Sequence, residues 1–327
     1  MDRSPVADAA AATVVVVSWN GAGFISDCLD SLASQEFADG FTTWVIDNAS
    51  TDQTAELVTR HPSSVRLIRL ERNVGFAGAA ALVLQEASTP YVVLVNQDAV
   101  AAPGWLAALL EPLDSPDVAA VTSKVLLAAD GRLNNTGVLV APDGYGRDRG
   151  FGDPDDGRYA VPEDVFAFSG TAAAIRASAA RSVGSFDASL FMYYEDTDLS
   201  WRLQLGGWRI RYAPLAVVRH LHAASSDVRS AAFAFYNERN RLLMLVKCAP
   251  ILLVVREVLR FTAITVALPV RRMFGVQVPA AQQFRTPVRL HVLAALIGRL
   301  PSGLAARRTV SRLARKSRRE VARQLAG

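Results

Sequence analysis

Apolar positions in the first part of the chain fall into two alternating patterns. Val14-Val15-Val16-Val17 is a short uninterrupted run, which predicts a strand buried on both faces. Ile25, Cys28, Leu29 and Leu32 follow at i, i+3, i+4 and i+7, one stripe of a helix. The two patterns recur. A strand is predicted over Thr43–Ile46, a helix over Asp52–Arg60 capped by Ser50 or Thr51, and a half-buried alternating strand over Val65–Leu70. A helix over Gly75–Glu86 and a buried strand over Tyr91–Val95 come next. Pro103 then opens a helix with Leu106, Leu109, Leu110 and Leu113 on one side. Repeated strand–helix–strand units imply an α/β fold, with a mostly parallel sheet and helices on both faces.

The pattern then changes twice. Gly131–Asp164 is rich in Gly, Asp, Pro and Asn and reads as a long loop or hairpin excursion beside the sheet. From Asp227 onward the chain is helical, aliphatic and rich in Arg. A boundary near Ser226–Arg229 divides it into a loose tail (1–12), an α/β domain (13–226) and a helical region (227–327). Ala249–Val270 is an apolar stretch of 22 residues, a length that can span a bilayer. Arg256, Glu257 and Arg260 stand at its centre and share one face. That favours a helix lying in a membrane interface, or packed on the preceding domain, over a span. The next helix, near Arg285–Leu300, carries Leu293, Leu296, Ile297 and Leu300 as a second stripe.

Charge sharpens this division. From Arg299 to Gly327 there are nine Lys or Arg and one acid, Glu320. Of the chain's 35 basic and 31 acidic residues, 26 and 30 therefore remain for the first 298 positions. The whole positive excess lies at the C-terminal end, as expected of a segment that meets an anionic membrane surface. Nothing in it resembles a nucleic-acid-binding motif, so nucleic acid is not an expected partner. The two cysteines, Cys28 and Cys248, provide no disulfide framework. With no signal-like apolar run before the first strand, they fit a cytoplasmic protein, peripheral on the inner face of the cell membrane.

Candidate chemistry clusters where a parallel sheet binds ligands, at the carboxyl ends of its strands. Ser18-Trp19-Asn20 follows the first strand, Asp47-Asn48-Ala49-Ser50 the second, and Asn96-Gln97-Asp98 the strand over Tyr91–Val95. A carboxylate such as Asp98 at a strand end suits a divalent cation, and oxygen ligands favour Mg²⁺ or Mn²⁺. The glycine patterns of dinucleotide-binding and P-loop proteins are absent. A second cluster, Tyr193-Tyr194-Glu195-Asp196-Thr197-Asp198, opens a helix. Its acids complement the helix dipole, and Asp198 pairs in sequence with Arg202 at i, i+4. Alternatively, one of them serves as a general base.

Taken in order, these segments resemble a known family. Val14–Asn20, Asp47–Asp52, Asn73-Val74-Gly75-Phe76-Ala77, Asn96-Gln97-Asp98, Ser169-Gly170-Thr171, Gly184–Asp187 and Tyr194–Arg202 are similar to the motifs of family-2 inverting glycosyltransferases of GT-A fold. The nearest likeness is to the bacterial rhamnosyltransferase-like branch that builds cell-envelope polysaccharides. The resemblance implies that Ser18, Trp19, Asn20, Asp47, Asn73, Gly75, Asn96 and Gln97 bind the donor. It implies that Asp98 and His220 hold Mg²⁺ or Mn²⁺, with His222 a near competitor. Asp196 is the implied base, with Glu195, Ser169 and Gly170 on the acceptor side. The implied partners are a dTDP- or UDP-sugar, rhamnose first, and a polyprenyl-linked or other glycan acceptor. Two positions depart from the pattern: Asn96 stands where the metal motif has an acid, and Ala79-Ala80-Ala81 where an Asn is usual. A catalytically inactive, membrane-associated glycan- or nucleotide-binding protein is the alternative, opposed by retention of Asp98, Glu195 and Asp196.

Overall fold

The computed structural model describes residues 10–221 and 229–325. Its parallel half is built as the hydrophobic pattern predicts. Strands β1 (Ala12–Ser18), β2 (Phe41–Asp47), β3 (Val65–Arg69) and β4 (Tyr91–Asn96) lie side by side in the order β4-β1-β2-β3, all parallel. Helices α1 (Ile25–Ala33), α2 (Thr54–Arg60) and α3 (Gly75–Glu86) connect them. The valines of β1 are buried on both faces. Val14 and Val16 join Ile25, Leu29 and Leu32 on one side, and Val15 joins Ala80, Val83 and Leu84 on the other. The helix expected from Asp52 begins at Thr54, and neither Ser50 nor Thr51 caps it. Both bond across to Asn20 instead, tying the β2 loop to the β1 loop.

The sheet continues past β4 in mixed sense. After β5 (Ala99–Ala101) and α4 (Trp105–Leu110) come β6 (Val118–Leu127) and β7 (Leu133–Asn135). The excursion over 131–164 is largely a hairpin, β8 (Val138–Val140) with β9 (Gly146–Asp148), followed by β10 (Glu163–Asp164). Strand β11 (Ala172–Arg176) inserts antiparallel between β4 and β6; α5 (Ala177–Ser182) and α6 (Glu195–Leu205) then lead to β12 (Arg209–His220), parallel to β6.

Four helices complete the chain: α7 (Ala231–Cys248), α8 (Ile251–Met273), α9 (Thr286–Leu313) and α10 (Arg318–Ala322). The expected boundary at 226–229 falls mainly outside the described residues, but α7 is built into the α/β body. Leu242, Met244 and Leu245 pack with Trp201, Leu205, Val138 and Phe166 in a third core, joined by Phe261 of α8 and Val292 and Leu296 of α9. Lys247 reaches from α7 to Asp198 (2.7 Å) and Asp187 (2.5 Å). Cys248 and Cys28 are both free and buried, and burial pushes each thiol up to about 12. Not all of the basic tail faces outward. Arg307 donates to the carbonyls of Val246 and Ala249, and Arg318 to that of Lys247, so both finish the C-terminal turn of α7.

Helix α8 carries one buried charge in its docked stripe. Glu257 is buried and pairs with Arg241 of α7 (3.4 Å), while Arg256 and Arg260 reach Pro142 O and Asp143 on the hairpin turn. The docked stripe is thus Val254, Glu257, Phe261, Thr265 and Leu268, with Arg256 and Arg260 at its flank. Leu252 (75% exposed), Val255, Leu259, Val266 and Val270 line the outer face, continued by Met273 and Phe274. On α9 the stripe divides: Leu296 turns inward, whereas Leu290, Ile297 and Leu304 are exposed. Among the described residues, α9 is the one helix long and apolar enough to cross a membrane, by length and composition alone.

Candidate active site

Register brings the strand-end clusters together. Ser18 lies level with Asp47, and Val17 with Asn96, so the loops after β1, β2 and β4 emerge side by side. Gln97 latches two of them. Its Oε1 accepts from Ser18 Oγ (2.6 Å) and Trp19 N (3.1 Å), and its Nε2 donates to Trp19 O. Asp47 Oδ1 accepts from Ser50 N (3.0 Å), and Arg69 Nε approaches Oδ2 (3.3 Å). Asn48 and Asn73 fold the next loop by accepting from the amides of Val74 and Gly75. The Trp19 indole is left exposed at the rim.

Asp98 and His220 come from different ends of the sequence and meet because β5 pairs antiparallel with β12, Ala99 opposite His220. His220 Nε2 lies 3.2 Å from Asp98 Oδ1, and both side chains are buried. His220 Nδ1 is 2.7 Å from Asn134 Oδ1, an oxygen that only accepts, so the ring proton sits on Nδ1. In the neutral ring Nε2 then presents a lone pair toward Asp98 Oδ1, which has no hydrogen bond among the described residues. Two lone-pair atoms facing each other in a buried spot suit a cation between them, and the Asn134 contact is the orienting partner a metal-ligating imidazole requires. No third His, Cys, Asp or Glu joins them among the described residues, and Asn96 Nδ2 stands 3.4 Å from Nε2. A site of one carboxylate and one imidazole fits a cation completed by substrate oxygens and water, as Mg²⁺ and Mn²⁺ sites commonly are. His222 lies outside the described residues.

The acids of α6 are delivered by a strained turn. Phe191, Tyr193 and Tyr194 all have φ near +68°, at 69°, 66° and 68°, a region bulky side chains avoid. Helix α7 holds this turn. Asn240 Nδ2 donates to the carbonyls of Leu190, Met192 and Tyr193 at 2.8–2.9 Å, and Arg239 donates to Leu190 O (2.7 Å). Gly75 presses on it from α3. Its φ is +74°, and a Cβ there would stand 2.1 Å from Phe191 O.

Asp196, half-buried, is fixed at both oxygens. Oδ2 accepts from Gly170 N (2.9 Å), and Oδ1 from Thr197 N (2.5 Å) and Thr197 Oγ1 (3.0 Å). Burial raises its pKa, and these hydrogen bonds oppose the rise. Glu195 is buried, and its Oε2 has no hydrogen bond among the described residues. Burial first, then the charges of Asp196 and Asp198, push the Glu195 carboxyl up to about 8. Asp198 is fully committed to Arg202 and Lys247, so for this acid the i, i+4 pairing holds. Ser169 is buried behind the site with its hydroxyl on Thr171, while Gly170 meets Asp196 directly.

Four further residues join these acids, and sequence reasoning missed all but Tyr193, which it placed in the same cluster without a role. Arg147, Asp148, Tyr193 and Asn237 line a pocket of about 190 Å³ together with Glu195 and Asp196. Asp148 stands at its mouth. Burial pushes its carboxyl up to about 6, Asp196 raises it further, and His220 pulls it down. It therefore lies within electrostatic reach of both the Asp98–His220 pair and the α6 acids. The sequence signal was the polar 131–164 excursion, which identified a segment beside the sheet without saying which residue turns inward.

Comparison with known proteins identifies the family and the fold. A family model described as Glycosyl transferase family 2 matches residues 13–184, just over half of the chain. A pre-mycofactocin glycosyltransferase of Mycobacterium tuberculosis is 27% identical over 238 residues, which cover 68% of this chain and 45% of that protein. The chain thus spans less than half the length of that relative. The N-acetylglucosaminyl-diphospho-decaprenol L-rhamnosyltransferase of the same organism is 28% identical over 217 residues, 57% of this chain and 68% of that one. Among solved structures, GalNAc-T7 with UDP, GalNAc and Mn²⁺ superposes with a TM-score of 0.61 at 15% identity, covering 90% of this chain and 58% of that one. The mannosyltransferase PcManGT from Pyrobaculum calidifontis, with GDP-Man and Mn²⁺, gives 0.54 at 20% identity, covering 89% and 87%. At such identities the likeness establishes the fold, which is the GT-A arrangement expected from the motifs.

Proposed function

As the chain belongs to glycosyltransferase family 2, we propose that it moves a sugar from a nucleoside-diphosphate donor to an acceptor hydroxyl in one inverting displacement, with Asp196 as general base. One juxtaposition supports this reading: Asp148 lies within electrostatic reach of both His220 of the Asp98–His220 pair and the anchored Asp196 carboxylate. Asp196 Oδ takes the proton of the acceptor hydroxyl as that oxygen attacks the anomeric carbon. The bond from that carbon to the diphosphate oxygen breaks, and the nucleoside diphosphate leaves with the electron pair. Gly170 N and Thr197 hold the carboxylate in place for the transfer. Glu195, protonated below about pH 8, donates a hydrogen bond to the acceptor. Asp98 and His220 are the residues that would hold Mg²⁺ or Mn²⁺, which supplies charge neutralisation for the departing diphosphate.

The names of the relatives guide the finer assignment. Rhamnose from dTDP-rhamnose is the first donor, UDP-sugars the second, and a polyprenyl-linked glycan the acceptor, in keeping with the rhamnosyltransferase relative. The outer face of α8 and α9 then rests on an anionic membrane, on the cytoplasmic side. Its apolar residues are flanked by a basic cleft of Arg315, Lys316, Arg318 and Arg319 beside exposed Ile251.

The test is a donor screen with Mn²⁺ and a lipid-linked acceptor, reading nucleoside diphosphate release and the anomeric configuration of the product. Release with an inverted product is expected. A retained configuration overturns the single displacement, and no release with any donor leaves the inactive binding protein as the better reading.

A further inference from the structure

The pocket at Asp196 adjoins a second, larger cavity. This one is about 490 Å³, and Gly146, Arg147 and Asn237 line both. It lies between the β8–β9 hairpin, α7, α8 and the start of α9. Its walls hold four guanidinium groups, Arg147, Arg241, Arg260 and Arg289, against two carboxylates, Glu238 and Glu257. Including Asp143 and Arg256, which pair with these groups from behind, leaves the same excess of two positive charges.

The carboxylates are already engaged. Glu238 and Glu257 both pair with buried Arg241. Arg289 is buried over the Phe261 ring and donates only to Thr265 Oγ1, Gln283 O and Phe261 O, with no carboxylate in ion-pair contact among the described residues. Burial lowers its pKa, with the nearby charge of Glu238 opposing the fall and that of Arg241 adding to it. Arg147 has no side-chain hydrogen bond or ion pair among the described residues, and Arg260 is half exposed with long contacts only, to Asp143 (3.4 Å) and Glu257 (3.6 Å). Two accessible guanidiniums thus face a cavity whose inner wall is already positive. That is the chemistry of phosphate capture. Phe233, Ile264 and Phe284 give the same cavity an apolar side.

We propose that this cavity binds a phosphate or diphosphate carried by a prenyl-type acceptor, gripped by Arg147 and Arg260, and so sets the acceptor hydroxyl beside Asp196. The assignment rests on Asp196 being the base, but its test does not need turnover. Binding of a short-chain prenyl diphosphate is measured by calorimetry with chelator present, on wild type, Asp98→Ala and an Arg147→Ala/Arg260→Ala double variant of the full chain. Both arginines are at the surface, so the double variant folds, which circular dichroism checks. Wild type and Asp98→Ala bind alike; the double variant binds at least about tenfold more weakly, the scale of a lost charge-assisted contact. Inorganic diphosphate competes, and phosphatidylglycerol vesicles do not. Equal binding by the double variant overturns the proposal. So does loss of binding in Asp98→Ala, which moves the ligand to the donor side. Binding of inorganic diphosphate with no binding of the prenyl diphosphate, or competition by the vesicles, defeats it by naming another phosphate source. Failure of every donor to release nucleotide defeats the transferase reading and leaves this binding result standing. Turnover with an unchanged acceptor KM in the double variant does the reverse.

Discussion

The sheet edge and the C-terminal helices both break the rule that apolar groups go inside and polar groups outside, and they break it in opposite directions. At the sheet edge, Asp98 Oδ1 and Glu195 Oε2 are buried without a hydrogen bond among the described residues. On α8 and α9, Leu252, Leu259, Val266 and Ile297 are exposed. Each kind of exception is costly or unusual in a finished fold. Under the proposed function, each would be met by a partner that is not protein: a charged ligand at the edge, and lipid on the helices. Glu257 separates the two cases. It is as buried as Asp98, yet Arg241, Arg256 and Arg260 surround it, so it is a structural charge. Burial alone does not mark a site; a buried carboxylate oxygen left without a hydrogen bond beside other candidate groups is a better pointer.

The largest effect expected from breaking this contrast is at Asp196. Asp196→Asn keeps the size and the Thr197 contacts but cannot take the acceptor proton. It should lower kcat by about 10²–10⁴-fold, with donor affinity nearly unchanged. Steady-state kinetics with a donor titration checks both. A variant that keeps more than about a tenth of wild-type kcat removes the base assignment.

Glu257→Gln tests the structural charge. It leaves Arg241 with Glu238 alone in a buried setting, and the loss of one partner from such a network costs about 3–5 kcal/mol. Chemical denaturation should show a fall of that order. By contrast, donor binding measured on the folded fraction should persist. A neutral effect on stability would mean that the arginines of α8 reach water more freely than their contacts imply.

The alternation of buried runs and helical stripes made the parallel half legible, because a strand buried on both faces and a helix with one apolar stripe leave different periods. Strand β6 was not visible in this way. Its Val-Thr-Ser-Lys centre looks like loop, yet Thr122, Ser123 and Lys124 are all buried, with partners in Ser169 N, Trp105 Nε1 and Asp155. Those partners lie far off in sequence, so no local pattern announces them. Asp148 escaped for the same reason: only the hairpin turns it toward Asp196. Among the candidate site residues, Asp98 stood out at a strand end and Glu195 and Asp196 at a helix start, whereas His220 came only from the resemblance. Their mutual geometry, and the part played by Asn240, came only from the fold. On α8 the sequence showed two faces but not which one docks. The answer depended on Glu238 and Arg241 of α7 and on the hairpin turn, where counter-charges for Arg256, Glu257 and Arg260 were waiting.

Glu195 allows a test by pH. Its folded-state carboxyl titrates near 8, above the ordinary glutamate value of 4.5. Between those two values the unfolded chain has lost the proton that the folded chain keeps, so stability falls as pH rises through this window. Glu195→Gln removes the titration. Its melting temperature should therefore exceed that of wild type by a margin that widens from pH 5 to about pH 8 and then levels off. Parallel melting curves at constant ionic strength read this directly. A margin constant with pH would mean that Glu195 titrates normally and that its buried oxygen is answered by water.

The smallest effect on the fold is expected on the outer face of α8. Leu252 and Leu259 have most of their surface in solvent, so Leu252→Ser/Leu259→Ser should change stability by no more than about 0.5 kcal/mol per site. Lipid contact reverses that indifference. A leucine buried in an apolar medium contributes about 2 kcal/mol, so losing two should weaken binding to anionic vesicles by well over tenfold. Salt offers an independent handle. The basic residues beside Ile251 add attraction that is screened as ionic strength rises, whereas the leucine contribution is not. Vesicle sedimentation of wild type and variant at low and high salt therefore separates the two forces. Wild type should lose part of its binding in high salt, and the variant should lose nearly all of it. Transfer to a short water-soluble acceptor should stay at the wild-type rate in both proteins, since Asp196 and its neighbours lie on other elements. Equal vesicle binding by the two proteins would assign the exposed face to a protein partner and end its parallel with the sheet edge.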